Sequence, residues 1–191
     1  MAPLASVQDV ESRLGRALSP EDALRVEVFL ADVSAAIRAA AGQEISRATS
    51  TVTLRASGGR VWLPQRPVVT VDDVQKVTAD GSLEAVIGWT LYGSALEYVP
   101  DGDLSVTYTH GYDQVPADVV GLTCSLAMLA LTSSSEGALG PQPGVVSESV
   151  DDYSVTYDRP AGASVTFDLP ERTARWLRRR FGTTGQSVAM R

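Results

Sequence analysis

The side chains with the clearest chemical potential lie between residues 105 and 119, which read SVTYTHGYDQVPADV. His110 is the single histidine of the 191-residue chain, and Asp113 and Asp118 follow it closely. A histidine acts as a general base when a partner orients it and a nucleophile lies beside it. The sequence identifies no such nucleophile. We therefore interpret the stretch as a strand end leading into a helix, and keep a small hydrolase using His110 with Asp113 or Asp118 as a remote alternative.

Other residue types exclude several kinds of site. One histidine and one cysteine, Cys124, cannot supply the usual zinc-ligand sets. The sequence contains no G-x-S-x-G elbow, Walker loop or G-x-G-x-x-G motif after a strand. The acidic pairs Asp72-Asp73 and Asp151-Asp152 do not converge on their own, because adjacent residues of a strand point to opposite faces. We expect no metal, no cofactor and no catalysis.

The charge of the chain is unevenly distributed. The net value is −7, from 16 basic and 23 acidic residues. Residues 111–170 carry eight acidic residues and one Arg, a balance of −7, whereas residues 171–191 carry one Glu and six Arg, a balance of +5. An acidic body is unsuited to general nucleic-acid binding, which depends on neutralising phosphates. The basic end indicates an acidic partner.

Composition also bears on the compartment. The unpaired cysteine indicates a reducing compartment. The sequence shows neither a secretory signal nor an apolar run long enough to span a bilayer. We therefore expect a protein that is neither secreted nor bound to a membrane.

Helix-capping signals mark the first part of the chain. Ser6 and Gly15 bracket a short helix, and Ser19, Pro20 and Gly42 bracket a long one. The apolar face of the long helix, widened by Leu24, Val28, Ala31 and Ala35, needs partners on two sides.

From about residue 49 the hydrophobic period changes to two, which predicts short strands. Their sequences are TVTLR, RVWLP, RPVVTV, VQKV, WTLY, LEYV and LSVTYTH, with a further strand at DYSVTYD. Helical patterns return at 116–134 and at LPERTARWLRRRF, which Gly182 ends. The predicted buried stripe of this last helix consists of Leu169, Thr173, either Trp176 or Leu177, and Phe181.

These patterns predict an α+β fold. It consists of a small α-helical core, with a long N-terminal, a middle and a C-terminal helix, and an inserted antiparallel β meander or small barrel. We expect one domain over residues 1–191. Its predicted parts are a helical core at 6–48, 114–134 and 168–182, a β insertion at 49–112, a mobile loop at 135–147 and a C-terminal tail at 183–191.

In this order, the parts resemble the head–tail connector, or adaptor, proteins of long-tailed bacteriophages and related gene-transfer particles. Four segments carry the resemblance, each weakly specific alone but together covering most of the chain. They are ASVQDVESRLGRALSPEDALRVEVFLADVSAAIRAAAG, LPQRPVVTVDDVQKVTADG, VTYTHGYDQVPADVVGLTCSLAMLAL and VSESVDDYSVTYD. The Gly/Pro/Ser-rich loop at 135–147 departs from the family, so contacts near it cannot be carried over.

The resemblance implies a structural virion protein. Copies would form a ring, commonly dodecameric, beneath the portal, pass the genome without sequence-specific binding and present a platform for the next neck or tail-tube component. The implied location is the virion neck, after assembly in the host cytoplasm, with no membrane partner. A tail-completion or stopper protein, one step further down the neck, is the nearer alternative.

Three groups of residues are assigned to these roles. The family's C-terminal segment often reaches toward the portal, which assigns docking to Arg175, Trp176, Arg178, Arg179, Arg180 and Phe181. Head-to-tail ring contacts need exposed apolar surface, and we assign them to Val28, Phe29, Trp62 and Trp89. An acidic lumen would repel DNA, and Asp151 and Asp152 are the residues we place there.

Overall fold

The computed structural model of the chain describes residues 1–136, 147–150, 153–157 and 165–182. Within them lie four helices and ten strands, which confirms the α+β class. The elements are α1 (Val7–Leu14), α2 (Pro20–Ala41), β1 (Ala48–Ala56), β2 (Arg60–Trp62), β3 (Val68–Val77), β4 (Leu83–Ala85), β5 (Thr90–Tyr92), β6 (Ala95–Glu97), β7 (Gly102–His110), α3 (Ala117–Glu136), β8 (Ser147–Val150), β9 (Tyr153–Tyr157), β10 (Val165–Asp168) and α4 (Glu171–Phe181).

The chain divides into two compact units. A helical unit contains residues 1–42 and 115–180, and a β unit contains residues 43–114 together with Phe181 at the end of α4. We describe each unit by itself.

Local capping defines the first helices of the helical unit. The Ser6 hydroxyl accepts a hydrogen bond from the Asp9 N–H at 3.2 Å, and the Asp9 carboxylate accepts one from the Ser6 N–H at 2.8 Å. This reciprocal pair is a capping box, and it fixes the start of α1. Ser19 caps α2 by accepting from the Asp22 N–H at 3.1 Å. Both helices begin at the residues that the sequence indicated.

Helices α1, α2 and α3 share the core of the helical unit. Their buried side chains include Val10 of α1, Val26 and Leu30 of α2, and Cys124 and Ala127 of α3. The one buried hydroxyl at the centre of α2, that of Ser34, accepts from the Leu4 N–H at 2.8 Å and donates to the Leu30 carbonyl at 2.5 Å. The segment before α1 is therefore fastened to α2 by a satisfied polar contact.

A four-stranded antiparallel sheet, in the order β1-β7-β3-β4, forms the larger part of the β unit. Strand β7 pairs with β1 over nine residues, from Ala48 opposite His110 to Ala56 opposite Gly102. The sequence predicted β3 as two pieces, and the structure shows one strand. Register shifts at Val68/Thr70 and Val71/Asp73 break its two-residue alternation. The alternation of apolar residues therefore did not predict that β3 is one continuous strand.

The core of the β unit lies on one face of this sheet. Alternate residues of β7, among them Leu104, Val106 and Tyr108, are fully buried and pack with Val61 and Leu96. The last two belong to a second sheet, ordered β2-β6-β5. Among the described residues both sheets are open and antiparallel, so the inserted strands do not close into a barrel.

The outer face of the four-stranded sheet carries pairs of threonine hydroxyl groups. The hydroxyls of Thr49 and Thr109 lie 3.0 Å apart, and those of Thr51 and Thr107 lie 2.8 Å apart. The carboxylate of Asp72 accepts from Thr109 at 3.2 Å. This half of the Asp72-Asp73 pair therefore belongs to the surface network of the sheet.

A third antiparallel sheet, ordered β10-β9-β8, precedes α4. Strand β9 matches the predicted strand DYSVTYD, whereas β8 and the short β4 were not predicted. Residue 147 of the predicted loop 135–147 begins β8, and residues 135 and 136 end α3. Residues 137–146 of that loop, and residues 183–191 of the predicted tail, lie outside the described residues.

Gly111 closes the corner after β7. Its backbone has φ +86°, and a Cβ at this position would meet the carbonyl oxygen of Ser46, with the Ser46 carbonyl carbon at 2.7 Å and the Ile45 oxygen at 3.0 Å. The neighbouring Tyr112 N–H donates to that Ile45 oxygen at 2.9 Å. Only glycine satisfies both the dihedral angle and the close backbone approach.

We expect Gly111→Ala to lower the free energy of unfolding by about 3 kcal/mol, because the added methyl group both strains φ and strikes backbone. Urea denaturation followed by circular dichroism measures the change. Gly121→Ala is the matched control, since Gly121 lies in α3 with open space around it, and alanine there should add about 0.5–1 kcal/mol. Equal, small effects at both positions would contradict this account of the corner.

Candidate functional site

The sequence pointed to His110 as the candidate for catalysis, and the structure buries it at the end of β7. Its Nε2 lies 2.8 Å from the Ser50 hydroxyl, and its ring lies 5.2 Å from that of Tyr108. The side chain is fully buried, and its Nδ1 has no hydrogen-bond partner. Burial lowers the pKa of His110, with the Glu44 carboxylate partly offsetting that effect. The imidazole is therefore neutral near pH 7.

The two aspartates of the hydrolase hypothesis are engaged elsewhere. The Asp113 carboxylate pairs with Arg47 at the surface of the β unit. The Asp118 carboxylate pairs with Arg180 within the helical unit. A triad-like arrangement needs a group that orients His through Nδ1, and that nitrogen is unpartnered. The hydroxyl beside His110 belongs to Ser50, 60 residues earlier in sequence, and only the pairing of β1 with β7 reveals it.

Helix α4 carries the residues assigned to portal docking. Its buried side consists of Ala174, Leu177 and Phe181. The sequence left Trp176 and Leu177 as alternatives for this stripe, and the structure selects Leu177; the predicted Leu169 and Thr173 are half-buried. Phe181 is 3% exposed, so it does not contribute to the exposed surface of the helix.

The opposite side of α4 is cationic. The exposed arginines are Arg172, Arg175, Arg178, Arg179 and Arg180. Arg175 pairs with Glu171 at 2.6 Å, and this hydrogen bond and the positive charge lower the pKa of Glu171. Arg180 also lies over the ring of Trp176, 5.5 Å from its centroid, and Trp176 is 37% exposed. This side thus presents one partly exposed aromatic side chain surrounded by arginines.

The four residues assigned to the ring interface have different environments. Val28 is 59% exposed on α2 and Trp62 is 45% exposed on β2. Phe29 is buried in the helical core, and Trp89 is half-buried against the core of the β unit. Val28 and Trp62 are therefore exposed to a partner, whereas Phe29 lies in the core and Trp89 is only partly exposed.

Several exposed apolar groups were missed in the sequence. Leu24 on α2 is 68% exposed, although helix periodicity placed it on the widened apolar face. Tyr92 and Tyr98 are also exposed. Tyr98 was predicted within a strand, but β6 ends one residue earlier and Tyr98 has φ +61°. No local sequence signal indicates that a tyrosine adopts this conformation.

An open cavity of about 510 Å³ lies in the helical unit. Its walls are largely apolar, and two of its lining residues, Asp9 and Glu27, carry carboxylates. The complete lining consists of Pro3, Leu4, Ala5, Ser6, Val7, Asp9, Glu27, Leu30, Val115 and Val120. A cavity of this size and lining can receive a side chain from another molecule.

The lumen residues, a metal site and a membrane-spanning helix are the remaining points to compare with the structure. Asp151 and Asp152, assigned to the lumen, lie outside them. Within the described part of the chain, no group of three or more His, Cys, Asp or Glu residues is arranged to hold a metal ion. No helix of that part has the length and apolar character needed to cross a membrane.

Comparison with solved structures identifies the fold. The chain is similar to a chain in the neck of an empty GTA particle computed with C6 symmetry, with 22% identity, a TM-score of 0.52 and coverage of 68% of this chain and 79% of that one. It is similar to a chain in the virion of a native gene transfer agent (GTA) particle, with 22% identity, a TM-score of 0.52 and coverage of 75% and 81%. A third similar chain, from the neck of a native GTA particle computed with C12 symmetry, has 19% identity, a TM-score of 0.48 and coverage of 79% and 85%.

No protein-family model and no curated protein matches the chain. The structural neighbours are neck and virion chains of gene transfer agent particles. The chain shares their fold.

The burial of His110 predicts a specific pH dependence. Because the folded-state pKa lies below the unfolded value of about 6.5, the unfolded chain binds more protons as the pH falls through 6.5. The histidine's contribution is thus fully present above pH 6.5 and is lost toward the folded pKa. We expect the free energy of unfolding to fall between pH 7 and pH 5, and His110→Gln to flatten this slope. Parallel slopes for the two proteins, measured by chemical denaturation, would contradict the assignment.

Proposed function

We propose that this chain is a structural virion protein that forms a ring between portal and tail at the neck of a phage-like particle. The ring contains twelve copies, gives the genome a passage and offers a docking platform for the next component. The observation that carries the proposal is the fold that the chain shares with chains of gene transfer agent neck and virion structures.

Symmetry supports a ring without fixing its size. The neck of the empty GTA particle was computed with C6 symmetry, and closed rings of six or of twelve copies both satisfy a sixfold axis. A ring requires two different, complementary faces on each copy, whose rotation closes. The exposed apolar residues Val28 on α2 and Trp62 on β2 are available for such faces.

The buried histidine supports a role without catalysis. His110 is neutral and enclosed, and neither Asp113 nor Asp118 orients it. A general base must reach the proton that it removes. In this proposal the protein acts by binding neighbouring proteins and catalyses no reaction.

We assign portal docking to the cationic side of α4. Arg175, Arg178 and Arg179 are exposed there, beside Trp176 and the Arg180 that stacks on it. Tryptophan and arginine are the side chains most enriched at energetically dominant positions of interfaces. The portal surface that fits them is acidic, with an apolar recess for the indole ring.

The passage for DNA is proposed on charge. Residues 111–170 have a net charge of −7, and a negative wall repels phosphate and avoids ion pairs that would hold the moving genome. Asp151 and Asp152 are the proposed lumen residues within this segment.

We expect purified full-length protein, mixed with the portal protein of its own particle, to form rings stacked on the portal. Negative-stain electron microscopy reveals their shape, and native mass spectrometry gives the copy number. Six or twelve copies are compatible with sixfold symmetry, and twelve is the expected result. Binding to a neck ring but never to the portal would instead indicate a tail-completion or stopper protein. A monomer in every mixture would overturn the proposal.

A charge-reversal pair tests the docking surface. We expect Arg178→Glu/Arg179→Glu to weaken portal binding at least tenfold, because two attractive contacts become repulsive. Surface plasmon resonance at two salt concentrations measures the effect, and wild-type binding should weaken as salt rises. Arg55→Glu is the matched control, since its side chain is 82% exposed on β1. Equal losses for both variants would remove α4 from the interface.

A further inference from the structure

The two ends of helix α1 carry complementary features. The cavity with the Asp9 and Glu27 carboxylates lies at its N-terminal end. At its C-terminal end, Leu14 is exposed between Arg13 and Arg16. The helix has eight residues, so about 12 Å separates its ends.

The cavity suits a group that is both apolar and cationic. Leu4, Leu30, Val115 and Val120 provide apolar walls. Glu27 is exposed and has no hydrogen-bond or ion-pair partner among the described residues. An unpaired carboxylate beside apolar walls favours an arginine whose methylenes pack while its guanidinium pairs.

The cavity continues onto an open face of α2. Residues three and four apart are neighbours on a helix surface, so Glu27 adjoins Leu24 and Ala31, and Leu24 in turn adjoins Val28. Leu24 and Val28 are 68% and 59% exposed. This enlarges the apolar surface beyond the cavity and explains why the apolar face of α2 is wider than its own core requires.

The projection at the other end of α1 is held in a defined shape. Gly15 ends the helix in the left-handed conformation, with φ +67°. The Leu18 N–H then donates to the Glu11 carboxylate at 2.9 Å, and Leu18 itself is buried. The exposed Leu14 and Arg16 are thus presented by an ordered turn, which reduces the entropy lost on binding.

We propose that the projection formed by Arg13, Leu14 and Arg16 of one copy occupies the Asp9/Glu27 cavity of the next copy. The inference rests on the proposed ring function and names its contact between subunits. Arg16 faces Glu27, the carboxylate without a partner among the described residues, and one exposed leucine faces apolar walls, whereas Arg13 already donates to the Asp9 carbonyl oxygen of its own helix at 3.0 Å. Because the two features occupy opposite ends of one helix, the contact is head-to-tail, as a closed ring requires.

Cysteine cross-linking distinguishes this contact from a symmetric one. The test uses the full-length chain, alone and with its portal, carrying Arg16→Cys, Glu27→Cys or both, treated with a short bismaleimide. The native Cys124 is buried and its pKa is raised by that burial, so the introduced thiols react selectively. Arg55→Cys/Ile87→Cys, with both positions exposed in the β unit, is the matched control.

We expect the double variant to give a ladder of covalent multimers, and a mixture of the two single variants to give dimers only. Each single variant alone should remain monomeric on a denaturing gel. A single variant that forms dimers by itself would show a symmetric contact and overturn the inference. Rings seen by electron microscopy without a ladder would also overturn it, while leaving the proposed ring intact. Failure of both rings and ladder would defeat the proposed function as well.

Charge exchange provides an independent readout. We expect Glu27→Arg to weaken self-association at least tenfold, and Arg16→Glu in the same chain to restore most of it, as measured by analytical ultracentrifugation. Both side chains are exposed, so folding should be unaffected, and circular dichroism checks this. Loss of portal binding with self-association intact would assign the cavity to the portal and overturn the inference.

Discussion

The β unit depends on one strand being enclosed from both sides. Strand β7 pairs with β1 and with β3, and alternate residues from Leu104 to His110 are fully buried. This enclosure makes the imidazole neutral and directs its one hydrogen bond to Ser50. It also requires glycine immediately afterwards, where the chain meets the backbone of residues 45 and 46. A sequence that could have belonged to an active site is used to complete a core and turn a corner.

How much the sequence predicted depended on how local the cause was. The caps of α1 and α2 involve residues within three positions of each other, and Ser6 and Ser19 were identified correctly. The bulges of β3 were not predicted, because they depend on pairing with β7, some 35 residues away. The short β4 and β8 contain few residues from which to detect alternation, and their pairing with β3 and β9 defines them.

The candidate surfaces show the same division. Arginine density on α4 was visible in the sequence, but the choice of Leu177 over Trp176 for burial depends on tertiary packing. The cavity combines residues from 3–9, from α2 and from 115–120, so it could not be predicted from any single segment of the sequence. The sequence around Leu14 is that of an ordinary amphipathic helix. The role that we propose for its exposed side chain depends on the cavity at the other end of α1.

The burial of Cys124 determines how the protein responds to oxidants. It is the only sulfhydryl of the chain and is fully buried among α1, α2 and α3, where the apolar surroundings raise its pKa. The thiolate is the reactive form toward oxidants and disulfides, so burial suppresses both routes. In the proposed ring, this thiol would therefore form no disulfide when the surroundings change from reducing to oxidising, so no covalent link through Cys124 would join the copies.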